Sequence, residues 1–191
     1  MSRKKRITAA ALIASAAVFC LLLLLFLKKE GYFLPEWIGW QERSIDCRSL
    51  PDYVPGRLEE ILLSKRKVTV VSGGNTLWQS EKGVLVQDVL WCDIDKDGDN
   101  ELLLLCWKRG RFGTSRPFWI TEDKKTWSQH IFIYEWKEGR IAASWMASDI
   151  GREAEDWSFD EESRLSIRAR DGEVTRWDWF SFGLEYIGTG N

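Results

Sequence analysis

The longest apolar segment of the chain is an uncharged run of 21 residues at positions 7–27. In an α-helix, which rises about 1.5 Å per residue, such a run reaches about 30 Å, the thickness of the hydrocarbon core of a membrane. More positive charge precedes the run, at positions 3–6, than follows it, at Lys28 and Lys29. Because excess positive charge stays in the cytoplasm, the pattern predicts a cytoplasmic basic tail at 1–6, a transmembrane signal anchor at 7–27 and an exported C-terminal part.

A cleaved signal peptide is the main alternative for this segment. Such a peptide has a shorter apolar region, which is followed by a cleavage site of small residues. Here positions 21–27 stay bulky to the end of the run, and Phe19 stands where a lipoprotein signal ending at Cys20 needs a small residue. The uncharged run is also too long for a typical core helix. The pattern therefore favours a retained anchor.

Residues 28–55 are predicted to form a juxtamembrane stalk. Several aromatic residues follow the apolar run closely, and aromatic rings favour the headgroup region of a membrane. The next segment, residues 57–65, has apolar residues at Leu58, Ile61 and Leu62. This i, i+3, i+4 spacing predicts one short helix.

From position 66 the pattern changes to short apolar or alternating runs separated by turn residues, which is typical of β-strands. KVTVV and TLWQS flank a Gly-Gly turn, HIFIYEW and IAASWMA flank KEGR, and LSIRA and VTRWDWFSF flank an Asp-Gly turn. Two further strands are predicted at 84–91 and 102–107. Residues 56–191 are thus predicted to form an antiparallel all-β domain of roughly eight to ten strands with one short helix. No repeat of fixed period is visible, so an antiparallel sandwich or barrel-like domain and a partial set of propeller-like blades both stay open.

The charge of the exported part excludes one class of partner. Six of the 27 basic residues and one of the 29 acidic residues precede position 31, which leaves 21 and 28, a net charge of −7. Because phosphate backbones bind basic surfaces, nucleic acid is not expected as the main partner. The exported cysteines, Cys47, Cys92 and Cys106, allow one disulfide in an oxidising compartment, and the pattern does not determine which pair forms it.

A dense group of carboxylates lies between the strands predicted at 84–91 and 102–107. In the stretch DIDKDGDNE, the acidic residues at positions one, three, five, seven and nine are Asp93, Asp95, Asp97, Asp99 and Glu101. Alternate carboxylates on a curling backbone point toward one centre, and the glycine at position six permits the sharp turn. Calcium takes about six to eight oxygen ligands, which side chains and the carbonyl of position seven supply. The sequence therefore predicts a calcium site at 93–101, with magnesium as the second choice and a solvated acidic turn without metal as the alternative.

The loop resembles the calcium loop of FG-GAP or VCBS-type repeats in integrin-like β-propellers, where a D-x-[DN]-x-[DN]-G-x-x-D loop leads directly into a strand. The matching residues are Asp93, Asp95, Asp97 and Gly98. Glu101 stands where that family prefers Asp, and the resemblance covers residues 84–108 in a single copy. It implies propeller-type blades and a role in adhesion or ligand binding. An EF-hand is excluded, because its twelfth position needs a bidentate Glu and this loop has Leu104 there.

Two groups of residues are candidates for contacts with a partner. The segment KRGRFGTSR concentrates cations that suit an anionic polymer, although a solvated hairpin loop is the alternative. Tryptophans serve cores or binding surfaces, and those in PFWITEDKKTW are expected to be the most exposed. The candidates are Lys108, Arg109, Arg111, Arg116, Trp119 and Trp127. The only histidine, His130, is expected to be a structural residue at a strand edge, and no catalytic residue is identified.

Together these features predict a membrane-anchored extracytoplasmic calcium-binding β-domain that acts as a binding or interaction module at the cell envelope. Its partner would be an envelope polymer or another exported protein, such as a further subunit of a membrane complex. The predicted location is the cell membrane, with a single pass and a cytoplasmic N-terminus. An envelope glycan-acting hydrolase with a structural calcium site stays open as the alternative, and it requires two carboxylates that meet across a cleft.

Overall fold

The computed structural model describes residues 3–50, 53, 57–110, 122, 125–147, 150–181 and 183–190. Its one α-helix, α1 (Arg3–Lys29), contains the predicted apolar run. The large apolar side chains at positions 12–26 of this helix are exposed. A contiguous apolar surface of this size is unfavourable in water. The length and composition of the helix suit a membrane anchor or a signal sequence.

Twelve strands follow the helix in the described residues, and they form three antiparallel sheets of four strands each. The first sheet contains β1 (Arg43–Asp46), β2 (Glu60–Ser64), β3 (Lys67–Ser72) and β4 (Asn75–Gln79). The second sheet contains β5 (Leu85–Cys92), β6 (Glu101–Arg109), β7 (Trp127–Lys137) and β8 (Arg140–Met146). The third sheet contains β9 (Ala154–Phe159), β10 (Leu165–Ala169), β11 (Val174–Phe180) and β12 (Gly183–Thr189). A 3₁₀ turn at Cys47–Ser49 follows β1.

The second sheet is the middle layer of the domain, and the other two sheets pack on its two faces. Its strand β6 carries four consecutive leucines, and all four are fully buried. Successive side chains of a strand point to opposite faces. Accordingly, Leu102 and Leu104 pack in the core with the first sheet, whereas Leu103 and Leu105 pack in the core with the third sheet. Burial on both faces explains why the sequence is continuously apolar there.

The three sheets are arranged like consecutive blades of a propeller. Each sheet is a meander of four strands in chain order, and the first strands of neighbouring sheets are adjacent, with β1 beside β5 and β5 beside β9. The last strands of the first two sheets, β4 and β8, also lie near each other. Of the two predicted architectures, the partial set of propeller-like blades therefore describes the domain better than a two-sheet sandwich.

The predicted short helix at 57–65 is wrong. Residues Glu60–Ser64 form strand β2, which pairs with β1 on one edge and with β3 on the other. Ile61 and Leu63 are both fully buried, which is the alternation of a half-buried strand, and the helix-like spacing is incidental. A helix this short has little stability of its own, so pairing on both edges outweighs the local preference.

Part of the predicted stalk at 28–55 lies against the β domain. Strand β1 is within this range and pairs with β2 along its length. Closer to the helix, the carbonyl oxygen of Gly31 accepts a hydrogen bond from the backbone N–H of Trp127 at 2.9 Å. The carbonyl oxygen of Tyr32 accepts one from Arg109 Nη2 at 3.3 Å. These bonds hold the end of α1 close to the second sheet.

The three cysteines of the β domain and the segment before it are buried, and none of them forms a disulfide in the described residues. Cys47 and Cys106 belong to the core between the first and second sheets, and Cys92 belongs to the core between the second and third sheets. Burial raises the pKa of the Cys92 and Cys106 thiols. These two side chains therefore stay protonated and pack as small apolar groups.

A partly buried polar network joins the three sheets at their adjacent first strands. Asp88 of β5 pairs with the guanidinium group of Arg43 of β1 through both carboxylate oxygens. It also accepts a hydrogen bond from Trp157 Nε1 of β9 at 3.0 Å. Next to it, the side-chain oxygen of Gln87 accepts a hydrogen bond from Gln129 Nε2 at 2.8 Å. A satisfied polar network of this kind favours one packing arrangement of the layers over others.

Candidate metal site

The acidic loop connects β5 and β6 in the middle sheet, as predicted from the flanking strands. The pairing of Cys92 with Glu101 closes the hairpin. Inside it, the carboxylate of Asp93 accepts hydrogen bonds from the backbone N–H groups of Asp97 and Gly98, both at 3.1 Å. Gly98 has φ +94°, a left-handed conformation that glycine adopts without strain. The glycine at position six therefore forms the sharp turn that curls the loop around its first carboxylate.

Three of the five predicted ligands come together in this loop. Asp93, Asp95 and Glu101 each present a carboxylate oxygen, and these oxygens lie within 4.8 Å of one another. Asp93 and Asp95 are half-buried, and Glu101 at the start of β6 is only 4% exposed. One oxygen of Glu101 accepts a hydrogen bond from the backbone N–H of Ile94 at 3.0 Å. The loop and the strand thus bring a buried carboxylate next to two loop carboxylates.

The carboxylates of this group disfavour one another's ionisation. Burial, and after it the negative charge of Asp95, raises the pKa of Glu101 to about 8. Burial and the charge of Asp97 also raise the pKa of Asp95. Like charges that share a partly desolvated site resist ionisation until a proton or a cation joins them. A set of hard carboxylate oxygens around one centre fits a hard divalent cation such as calcium.

The other two predicted ligands are placed differently. The carboxylate of Asp97 is exposed and accepts a hydrogen bond from the backbone N–H of Asp99 at 2.8 Å. The carboxylate of Asp99 forms an ion pair with Arg57, so it is turned away from the group formed by Asp93, Asp95 and Glu101. At position seven of such a loop the backbone carbonyl is the expected ligand. The Asp99 side chain is therefore not needed as a ligand and can pair with Arg57.

Two ion pairs connect the loop to the sheets on both sides of the middle sheet. Asp99 pairs with Arg57, which precedes β2 of the first sheet. Lys96 Nζ lies 2.7 Å from Asp178 Oδ1 of β11 in the third sheet, and this contact lowers the pKa of Asp178. Sequence analysis missed both partners, because they lie about 40 and 80 residues away along the chain and no local pattern marks them.

Of the predicted partner-contact residues, Lys108, Arg109 and Trp127 are within the described residues, and Arg111, Arg116 and Trp119 lie outside them. Lys108 is buried in β6, with Nζ 5.7 Å from the centre of the Phe132 ring. Its burial argues against a direct contact with a partner. Arg109 lies 5.0 Å from the centre of the half-buried Trp127 ring. Both residues contact the chain just after α1, so this surface faces the helix end.

His130 is not at an accessible strand edge. It is fully buried in β7, where Nδ1 lies 2.9 Å from the carbonyl oxygen of Ala147 and Nε2 lies 2.9 Å from Ser128 Oγ. Both ring nitrogens thus have hydrogen-bonding partners inside the domain, and the residue has a structural role.

Strand β6 separates the acidic loop from the helix end. Glu101 begins the strand at the loop, and Arg109 ends it beside the residues that follow α1. Eight steps of about 3.3 Å place the two ends about 26 Å apart. If α1 spans a membrane, the acidic loop is therefore at the end of the domain that is far from the membrane.

Comparison of the chain with models of protein families, with curated proteins and with solved structures found no match. The resemblance to FG-GAP or VCBS-type calcium loops rests on the loop residues and stays a prediction.

Proposed function

We propose that this chain is a single-pass membrane protein whose exported β domain is an interaction module with a calcium-stabilised, membrane-distal end. The observation that carries the proposal is the burial of the Glu101 carboxylate beside Asp93 and Asp95, directly before the four buried leucines of β6. A buried carboxylate next to two others is costly unless a positive charge joins them. A bound cation would remove this cost.

Calcium fits the loop better than magnesium does. The three carboxylates lie on a curled loop, which adapts to the longer and more variable bonds of calcium, and backbone carbonyls and water would complete its shell. Magnesium requires a tighter octahedron and keeps more of its water. The nearest described cations do not replace a metal, because Arg57 pairs with Asp99 and Lys96 pairs with Asp178.

The role that we propose for the ion is to fix the far end of the domain. The loop is linked by ion pairs to the first and third sheets, so ordering the loop would also align the ends of all three blades. Isolated exposed ion pairs contribute little to stability. A bound ion, in contrast, would hold the loop that carries both ion pairs in one conformation. The exposed residues at positions 96–99 would then present a defined surface to an envelope polymer or another exported protein.

Calcium binding by the purified full chain in detergent tests the metal part of this proposal. Isothermal calorimetry is expected to give one calcium site per chain, and magnesium at the same concentration is expected to compete weakly. A matched measurement on Glu101→Gln should show no site, because this substitution keeps the side-chain shape and removes the charge. Wild-type protein that releases or absorbs no heat with calcium and shows no change in tryptophan fluorescence would contradict the metal site.

Membrane topology is tested separately in cells. We expect the chain to stay in the membrane fraction after alkaline carbonate washing, because α1 spans the bilayer. Protease added outside intact cells or spheroplasts is expected to digest a C-terminal tag and leave an N-terminal tag protected. Protection of the C-terminal tag would reverse the proposed orientation, and release of the chain by carbonate would exclude the anchor.

The way in which the stability of the folded chain depends on pH is expected to differ between the calcium-free and the calcium-bound protein. The pKa of Glu101 is about 8 in the folded chain, against an ordinary value of 4.5, so the metal-free folded state binds more protons than the unfolded state between these values. By linkage, the associated stability is fully present below about pH 4.5 and is lost as the pH rises through about 8. Melting temperatures in chelator are therefore expected to fall over this window, whereas saturating calcium, which binds the ionised carboxylates, should reduce or reverse the fall. The Glu101→Gln variant is the control, and its melting temperature in chelator should not show the part of the fall that comes from Glu101. The same pH profile in wild type and variant would contradict the assignment of this fall to Glu101.

A further inference from the structure

A cleft of about 440 Å³ lies between the end of α1 and the β domain. It is of the size that takes a small ligand. Residues of the helix end and of the segment after it form one wall, and residues of the second sheet and of the ends of β9 and β10 form the other. The charged and aromatic residues that line the cleft include Lys28, Lys29, Glu36, Trp37, Glu153 and Arg170.

The position of this cleft relative to a membrane follows from α1. Lys28 and Lys29 are the last residues of the helix, directly after its exposed apolar surface. Basic residues at such a boundary lie at the level of the lipid headgroups. The hydrogen bond from Trp127 to Gly31 holds the helix end to the β domain. The cleft is therefore open to headgroups if α1 spans a bilayer.

The cleft carries charges of both signs in addition to aromatic rings. Lys28 Nζ lies 2.7 Å from Glu36 Oε1, and Arg170 Nη1 lies 3.6 Å from Glu153 Oε2. Each of these four side chains is more than half exposed. Exposed ion pairs contribute little to stability, so a ligand with one positive and one negative group is able to exchange partners with them at small cost.

An aromatic wall lies beside these charges. The ring of Trp37 stands 5.6 Å from the guanidinium carbon of Arg170. Behind it, the buried Trp107 packs edge to face against Trp37, with ring centres 5.8 Å apart. A tryptophan face attracts cations, and the attraction is largest where water is partly excluded. The Arg170 guanidinium lies over this ring, so a ligand ammonium group would contact Trp37 when Arg170 turns to the negative group of the ligand.

We propose that this cleft binds the headgroup of a phospholipid that carries a phosphate and a primary ammonium, as phosphatidylethanolamine does. Lys28, Lys29 and Arg170 would bind the phosphate through charge-assisted hydrogen bonds. Glu36 and Glu153 would accept hydrogen bonds from the ammonium group against the face of Trp37. This proposal rests on the membrane anchoring in the proposed function.

The two carboxylates select among phospholipids. An anionic headgroup without an amine brings a negative charge next to Glu36 and Glu153 and gives them no donor. A trimethylammonium headgroup brings the positive charge but has no N–H group to donate to a carboxylate. Only the primary ammonium satisfies both acids and still presents a cation to the aromatic wall.

Lipid retention by the full chain in detergent tests the proposal. The chain is incubated with equal amounts of phosphatidylethanolamine, phosphatidylcholine and phosphatidylglycerol, and bound lipid is measured by native mass spectrometry. We expect severalfold more phosphatidylethanolamine than either of the other lipids. The double variant Glu36→Gln with Glu153→Gln should bind phosphatidylethanolamine and phosphatidylcholine equally, and Lys29→Gln should lower the retention of both. Glu185→Gln, an exposed change on β12, is the matched control and should behave as wild type.

The outcomes separate this inference from the proposed function. Equal retention of the three lipids, a preference for phosphatidylglycerol, or retention unaltered by the Glu36 and Glu153 substitutions would overturn the inference. Competition by free phosphoethanolamine supports recognition of the headgroup, and competition only by lipids with long acyl chains overturns it. Failure of membrane anchoring appears instead as release of the chain by carbonate, which lipid retention in detergent does not measure.

Discussion

Replacing Asp95 by Asn is expected to reduce strongly the rise in melting temperature that a fixed calcium concentration produces in the full chain, because the amide oxygen can still bind the ion but carries no charge. In the wild-type chain, calcium at a hundred times its dissociation constant should stabilise the folded state by about 2.7 kcal/mol. For a chain of this size that corresponds to a rise of roughly 5–10 °C. Asp95 lies in the group with Asp93 and Glu101, so removing its charge removes one third of the negative charge that attracts the ion. Melting is followed by tryptophan fluorescence in chelator and in calcium.

Asp99→Asn is the matched control for this prediction, because it is the same chemical change in the same loop. The Asp99 carboxylate pairs with Arg57 and not with the other acids, and the ligand expected from position seven is its backbone carbonyl. The variant should therefore keep most of the calcium-dependent rise. An equal loss of the calcium-dependent rise in both variants would indicate that calcium only screens the repulsion between the loop carboxylates and binds no specific site. An unchanged rise in Asp95→Asn would contradict the proposed ligand set.

Replacing Asp88 by Ala is expected to lower the free energy of unfolding by about 2–4 kcal/mol, independently of calcium. Asp88 is 4% exposed and connects all three sheets, through Arg43 on one side and Trp157 on the other. The substitution removes the ion pair and leaves the buried Trp157 N–H without its acceptor. Equilibrium unfolding in urea, in the presence of calcium, measures the change.

Asp156→Ala is the control for the Asp88 prediction, because it removes an exposed carboxylate from the neighbouring strand β9. Asp156 pairs with Arg168 at 3.4 Å, with about half of each side chain exposed, and accepts a hydrogen bond from the backbone N–H of Trp157 at 2.9 Å, so we expect a loss of at most about 1 kcal/mol. Trp157→Phe isolates one part of the network, since it removes the indole N–H and keeps an aromatic ring. Equal losses for Asp88→Ala and Asp156→Ala would show that the network does not hold the sheets together.

The local pattern of the sequence was informative where one property dominates a segment. The apolar run at 7–27 gives a helix because no charged residue interrupts it, and the alternating segments after position 66 give strands with turns at the predicted glycines. At residues 57–65 the local pattern predicts the wrong element, because the few apolar residues there satisfy both the helical and the strand spacing. Pairing of β2 with strands on both edges decides that segment.

The membrane-length helix, most of the strands and the acidic loop between two of them follow from local patterns, because each depends on residues that are close together along the chain. Three features of the domain depend instead on its packing: Glu101 is buried beside Asp93 and Asp95, Asp99 turns to Arg57, and Asp88 joins three sheets. These contacts depend on which faces of the sheets stack, and burial is a property of the assembled layers. A local sequence pattern therefore shows which groups are present, whereas the stacking of the sheets determines which groups meet.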